Sequence, residues 1–252
     1  MNQPRSFRAE AVVIRHADWG ESDRVLTLFT RERGKLRALA KGARKVLSRK
    51  AGHLEPFTHI TVQLARGRDL PIVEQVETLN AYLPIRDDLV KVGYAAYTLE
   101  LLDRFTYDEE GHPAAVFRLL LETLARIATE PDGWLPVRYY EMRLLDFLGF
   151  RPKLFECANC GRPIEPCAQY FSPSSGGVIC PKCGIGLPGL WNVSVETLKY
   201  LRHFQRSTYA EATRARPDAE SRKQVETLMQ GYFTYLLERE LNTPGFLKRV
   251  RP

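Results

Sequence analysis

A change of hydrophobic period near Pro84 restricts the fold more than any other feature of the sequence. From Phe7 to about Asn80 the apolar residues fall in short β-rich runs: Phe7 to Arg15, Val25 to Thr30, Lys35 to Ala40, Phe57 to Leu64 and Leu70 to Leu79. The breaks between them, Trp19 to Asp23, Arg33-Gly34 and Arg66 to Pro71, carry turn chemistry. Five short strands in so brief a span would leave long unpaired edges as an open sheet, so they predict a small barrel, closed or partly open.

Beyond Pro84 the spacing becomes helical. Leu89, Val92, Ala96 and Leu99 line one face of the next segment, and Tyr94, Tyr97, Leu101 and Phe105 another, as in a helix buried on two sides. A second helix is read from Phe117 to Ala128 and a third from Val137 to Leu148, with Tyr107 to Pro113 and Glu130 to Gly133 as breaks. The pattern stops at Gly149, and residues 151–190 shift to Cys, Gly, Pro and Ser with little periodicity. Helices resume over Val195 to Phe204 and Val225 to Leu241. Thr243-Pro244-Gly245 is read as the end of the last one, leaving a short basic tail with Lys248, Arg249 and Arg251. The expected architecture is α+β and multidomain: a barrel over 1–82, then an all-α domain over 83–252 interrupted by a small module at 151–190.

That module carries the sharpest chemical signal. Cys157-Ala158-Asn159-Cys160 and Cys180-Pro181-Lys182-Cys183 have the spacing of paired zinc knuckles. Gly161 and Gly184 follow each pair with permissive backbone. Four thiolates complete a tetrahedral zinc shell and leave no position for a reacting water, so one structural zinc ion per chain is expected, held by Cys157, Cys160, Cys180 and Cys183. Cys167 has no partner at knuckle spacing and is read as a buried, inert side chain. The odd cysteine count and the paired spacing favour a metal site in a reducing compartment over a disulfide framework, which points to the cytosol.

His53-Leu54-Glu55 with a distant Cys-x-x-Cys is reminiscent of a zinc deaminase, whose three-ligand shell keeps water. Two cysteine pairs already fill the shell here, and His53 is assigned to a polar loop. Gly34-Lys35 lacks the rest of a P-loop, and neither a nucleophile elbow nor a His-Glu-x-x-His motif occurs. No catalytic residue is assigned, and the chain is expected not to be an enzyme. Nor does any stretch approach the roughly 18 uncharged apolar residues of a spanning helix, so no membrane is expected.

Charge supplies the partner. The chain carries +7, yet residues 31–50 alone hold nine cations against the single acid Glu32, an excess of eight. Lys35, Arg37, Lys41, Arg44, Lys45, Arg49 and Lys50 fall on the third β-run and the loop after it. Alternation places Lys35 and Arg37 on the face opposite Leu36, Ala38 and Ala40, so the charges face solvent and the apolar residues the core. Such a face binds phosphates by releasing counterions, with Trp19 the candidate for base stacking and Phe29 and Phe57 read first as core. Charge reversal at Lys35 and Arg37 is expected to depress nucleic-acid affinity with the fold intact. Arg66, Arg68 and the C-terminal cations are candidates for a second strand.

Several runs carry a resemblance: Glu10 to Arg15; Gly20-Glu21-Ser22-Asp23-Arg24-Val25-Leu26-Thr27-Leu28-Phe29-Thr30; Gly34 to Arg44; Leu54-Glu55-Pro56-Phe57; and Leu148-Gly149-Phe150-Arg151-Pro152. Phe171-Ser172-Pro173 with Gly176-Gly177 continues them. Over nearly its whole length the chain resembles the RecO family of bacterial recombination mediators. The resemblance implies an N-terminal OB-fold, a helical domain and an inserted zinc module held by four cysteines. Arg15 and Arg24, within the matching runs, join the DNA-binding set. It further implies binding of single- and double-stranded DNA and annealing of complementary strands. Loading of RecA onto DNA coated by single-strand-binding protein is also implied, with RecR and that protein's C-terminal tail as partners, RecA engaged indirectly, and a cytoplasmic, nucleoid-associated location. A zinc-ribbon interaction scaffold and an RNA binder are the alternative readings.

Overall fold

A computed structural model describes residues 6–106 and 113–251; the acidic break at residues 107–112 lies outside them. The chain divides into two compact units, residues 1–133 with 245–252, and residues 134–244.

In the first unit, β1 (Ser6–Trp19), β2 (Asp23–Thr30), β3 (Gly34–Ala40), β4 (His59–Ala65) and β5 (Ile72–Asn80) close a barrel in the order β1-β2-β3-β5-β4. Closure needs one strand to serve two neighbours. β1 does so, pairing antiparallel with β4 along Ser6 to Val12 and with β2 along Ala11 to Trp19. A bulge between Val13 and Arg15 bends it at the crossover. On the far side β3 and β5 meet in parallel at Leu39 and Ile72, where the Leu39 N–H donates to the Pro71 carbonyl at 2.8 Å.

Inside, Ala11, Ala38 and Ala40 alternate with Val13, Leu26, Leu28, Ile60, Val62 and Leu64, all fully buried. Small residues beside large ones are what so narrow an interior can hold. Truncating a branched side chain there, Leu26→Ala for example, costs about 2–5 kcal/mol.

After the barrel come α1 (Leu83–Arg86), α2 (Leu89–Phe105) and α3 (Pro113–Thr129). Asp88 caps α2, its carboxylate accepting from the N–H groups of Val90 and Lys91. Tyr94, Tyr97, Leu101 and Leu102 of α2 are buried, as are Phe117, Leu120, Leu124 and Ile127 of α3. The outward barrel row formed by Val12, Phe29 and Lys35 lies on the flank these helices cover. A β-carbon on Gly34 would stand 3.6 Å from Pro113.

The second unit contains α4 (Trp134–Phe147), β6 (Gln169–Ser172), β7 (Gly177–Ile179), α5 (Pro181–Gly184), β8 (Trp191–Val193), α6 (Val195–Arg206), α7 (Tyr209–Ala212) and α8 (Ala219–Leu237). The short strands form a sheet in the order β7-β6-β8. Phe171 anchors it between the ring of Trp191, stacked at 5.9 Å, and that of Tyr232, edge-on at 5.1 Å.

The chain end departs from expectation. Thr243-Pro244-Gly245 begins a helix, α9 (Thr243–Val250), because proline suits a first helical turn whose N–H groups lack partners anyway. Its Leu247 is buried beside Gly93, and Arg251 lies over the Tyr94 ring at 4.7 Å. Lys248 and Arg249 therefore belong to a helix and not to a loose tail.

Candidate nucleic-acid interface and metal centre

Register fixes how the barrel's outer face is laid out. Beyond the helix-covered row, the next outward row is Arg15, Thr27 and Arg37; the one after it is Ala17, Val25 and Leu39. Trp19 and the start of the β3–β4 loop at Lys41 complete this end of the barrel, with Trp19 63% exposed.

The nine cations of the expected DNA-binding set separate into two groups. Five are engaged within the barrel unit. Lys35 donates to the Asp103 carbonyl at 2.6 Å and meets its carboxylate at 3.3 Å, and Arg15 reaches the same carboxylate at 3.0 Å. Arg24 lies on the inward row paired with Ala40 and closes the barrel end, donating to Glu55 at 3.0 Å and facing Asp18 at 3.4 Å. Arg44 also meets Asp18, at 3.2 Å, and donates to the Gly20 and Glu21 carbonyls. Lys50 donates to the Val73 carbonyl at 2.9 Å. The other four, Arg37, Lys41, Lys45 and Arg49, are exposed and form no ion pair or side-chain hydrogen bond among the described residues. Lys41, Lys45, Arg49 and Lys50 line a groove of about 580 Å³ that also borders Glu74 and Gln75.

Glu55 is the hub of the barrel end. Burial opposes its ionisation, but Arg24 and His16, at 3.0 and 3.3 Å, outweigh that and hold its carboxyl below the usual range. His53, on a short 3-10 turn (Ala51–His53), bonds Thr78 through Nδ1 at 2.7 Å. Phe29 is buried, and Phe57 is half-buried with the Arg86 guanidinium 6.0 Å from its ring centre, so Trp19 alone of the three aromatics is exposed. Reading charge alone overlooks Val46 and Leu47, an adjacent aliphatic pair inside the basic loop that stands in solvent.

In the second unit the sulfurs of Cys157, Cys160, Cys180 and Cys183 all lie within 4.8 Å of one another. A zinc ion at about 2.3 Å from four sulfurs sets them about 3.8 Å apart, so the donor set fits that ion after small adjustments. Two backbone turns shape it: the Gly161 N–H donates to Cys157 and the Gly184 N–H to Cys180, at 2.8 and 3.0 Å. Gly161 is left-handed at φ +71°, as a knuckle requires. Gly184 serves by closeness instead, for a β-carbon there would stand 2.4 Å from the Tyr170 ring.

The Cys180 N–H donates to the Cys157 sulfur at 3.3 Å. Arg162 donates to that of Cys160 at 3.4 Å and draws its thiol down to about 6, which favours the thiolate a metal binds. Cys167, expected to be buried, is exposed and stands apart from the cluster, its sulfur accepting from Gln169 at 3.0 Å. Among the described residues no helix is long and apolar enough to cross a membrane.

Residues 1–82 match the family described as Recombination protein O N terminal, and residues 86–244 the one described as Recombination protein O C terminal. The DNA repair protein RecO of Roseiflexus sp. (strain RS-1) is 39% identical over 251 residues, covering 98% of this chain and 87% of that protein. That of Dehalococcoides mccartyi (strain ATCC BAA-2100 / JCM 16839 / KCTC 5957 / BAV1) is 36% identical over 254 residues, covering 100% and 98%. That of Nocardioides sp. (strain ATCC BAA-499 / JS614) is 35% identical over 250 residues, covering 96% and 99%. With barrel, helices and cysteine cluster in the order the resemblance implies, the chain belongs to the RecO family of DNA repair and recombination proteins.

Proposed function

We propose that the chain is a non-catalytic recombination mediator that holds single- and double-stranded DNA on the outer face of its barrel and anneals complementary strands. The observation that carries this reading is the set of four exposed cations with no ion pair or side-chain hydrogen bond among the described residues: Arg37 on the outer face of β3, and Lys41, Lys45 and Arg49 around the groove beside the loop that follows it. Cations already matched to carboxylates have little charge left to offer a phosphate; unmatched ones release counterions when DNA arrives. Annealing then needs no nucleotide hydrolysis, because screening two phosphate backbones lets base pairing run downhill.

Arg15, Arg24, Lys35, Arg44 and Lys50 belong to the same DNA-binding set and also shape the surface, through the contacts that hold them to Asp103, Glu55, Asp18 and backbone carbonyls. One zinc ion, bound by the four cysteines, fixes the knuckles and their sheet, supplying folding energy and no reaction step. Following the family, the protein acts in the cytoplasm with RecR and with the C-terminal tail of single-strand-binding protein, and promotes RecA loading indirectly.

A strand-annealing assay across a salt titration, with and without single-strand-binding protein, tests the proposal. Annealing that falls steeply with salt and persists on coated strands is expected. A protein that leaves the spontaneous rate unchanged at every salt concentration contradicts it.

A further inference from the structure

The basic loop carries two side chains that its charge does not explain. Val46 is 100% and Leu47 93% exposed, directly between Arg44-Lys45 and Arg49-Lys50. Side chains so exposed bury nothing on folding, and an adjacent aliphatic pair among cations points to a contact outside the chain.

Nor is the loop a loose tether. The Arg44 N–H donates to the Ser22 carbonyl at 2.9 Å, and the Gly42 N–H to the Asp23 carboxylate at 2.8 Å. The Ser48 N–H donates to the Lys45 carbonyl at 2.9 Å, and Lys50 is tied to β5 through Val73. Both roots are fixed, so the tip is presented from the barrel end at which Trp19 is also exposed.

The occupant follows from two demands made by one short segment. Lys41 to Lys50 contains five cations and no acid, which calls for a polyanion. The tip calls for apolar surface on that same polyanion. A nucleic-acid strand offers phosphates and base faces within one nucleotide, and the loop continues the face on which Arg37 stands. An anionic lipid surface offers a similar mixture, but anchoring there relies on the long apolar face of an amphipathic helix, not on a tip two residues wide.

We propose that Val46 and Leu47 form an apolar wedge entering between successive bases of a strand whose phosphates Lys41, Lys45 and Arg49 hold. The inference rests on the nucleic-acid reading above and adds to it a contact with the bases themselves. Wedges of this kind unstack the step they enter. Their contribution to binding does not involve counterion release, so it persists at high salt while the phosphate contribution fades.

The test compares the unmodified protein with a Val46→Ser/Leu47→Ser variant, whose fold is not at stake because neither side chain is packed; equal melting temperatures check this. The probe is a single-stranded oligonucleotide carrying 2-aminopurine, which brightens when unstacked, titrated across salt. The expected result is a rise in fluorescence with the unmodified protein that the variant lacks. The variant should also bind about tenfold more weakly at every salt concentration, the size of a lost base contact, with an unchanged salt slope. Affinity for inorganic polyphosphate, which has no bases, should be equal for the two proteins. Equal affinity and equal fluorescence on the oligonucleotide overturn the wedge. So does a variant that loses only its binding to phosphatidylserine vesicles, which assigns the tip to a membrane. An unmodified protein that binds no oligonucleotide even at low salt overturns the parent reading instead.

Discussion

At the scale of single residues, Lys35 and Arg37 look equivalent in the sequence, two places apart on the same strand face. Packing separates them, because Lys35 is seated on Asp103 whereas Arg37 has no partner among the described residues. Arg37→Glu is expected to weaken oligonucleotide binding and lower the salt slope by about one, with melting unchanged. Lys35→Glu places two carboxylates together and loses a charge-assisted bond, and is expected to cost about 1.5–3 kcal/mol of stability. Calorimetry beside binding separates the two effects; equal melting temperatures for both variants would mean the Asp103 contact is idle. Glu55 gives a pH prediction. Its carboxyl is held below the usual range when folded, so its contribution is fully present above the unfolded-state pKa and is lost as pH falls through the lower folded value. Glu55→Gln should therefore melt below the unmodified protein at neutral pH, with the gap closing in acid. A gap independent of pH contradicts the Arg24–Glu55–His16 arrangement.

At the scale of elements, the barrel strands and the long helices are legible because each carries its period over several residues. β1 still runs further than its apolar stretch, since Ala17 to Trp19 are held in the sheet by β2 and not by hydrophobicity. The strands of the cysteine module, three or four residues each, are too short to show any period. They exist because Phe171 packs between Trp191 and Tyr232 and because the knuckles tie their ends, and neither contact is written in local pattern. α9 escapes the sequence for a different reason, as Pro-Gly marks a helix start as well as a stop, and only burial of Leu247 decides between them. The four-cysteine set is legible throughout, since ligand spacing is itself local. Cys157→Ser leaves three thiolates for the metal. It should abolish stoichiometric zinc, read by atomic emission, and lower the melting temperature, while oligonucleotide affinity stays within about twofold if, as proposed, the phosphate contacts lie on the barrel. Full zinc with unchanged melting contradicts a structural metal centre.

For the whole molecule, net charge identifies the class of partner but not the residues that would touch it. Five of the nine cations selected from sequence are joined to carboxylates or carbonyls across the barrel unit, pairings between positions far apart in the chain. What remain are Arg37 on the outer face of β3 and Lys41, Lys45 and Arg49 around the groove after it, and the proposed DNA contact depends on them. The most direct measurement is the salt dependence of single-strand binding by the full chain, compared with an Arg37→Glu/Lys45→Glu/Arg49→Glu variant. A linear fall of log K with log salt is expected for the unmodified protein, at about 0.7 per phosphate contact, with a slope shallower by about two in the variant. The same slope and affinity in both proteins would place the DNA elsewhere on the molecule.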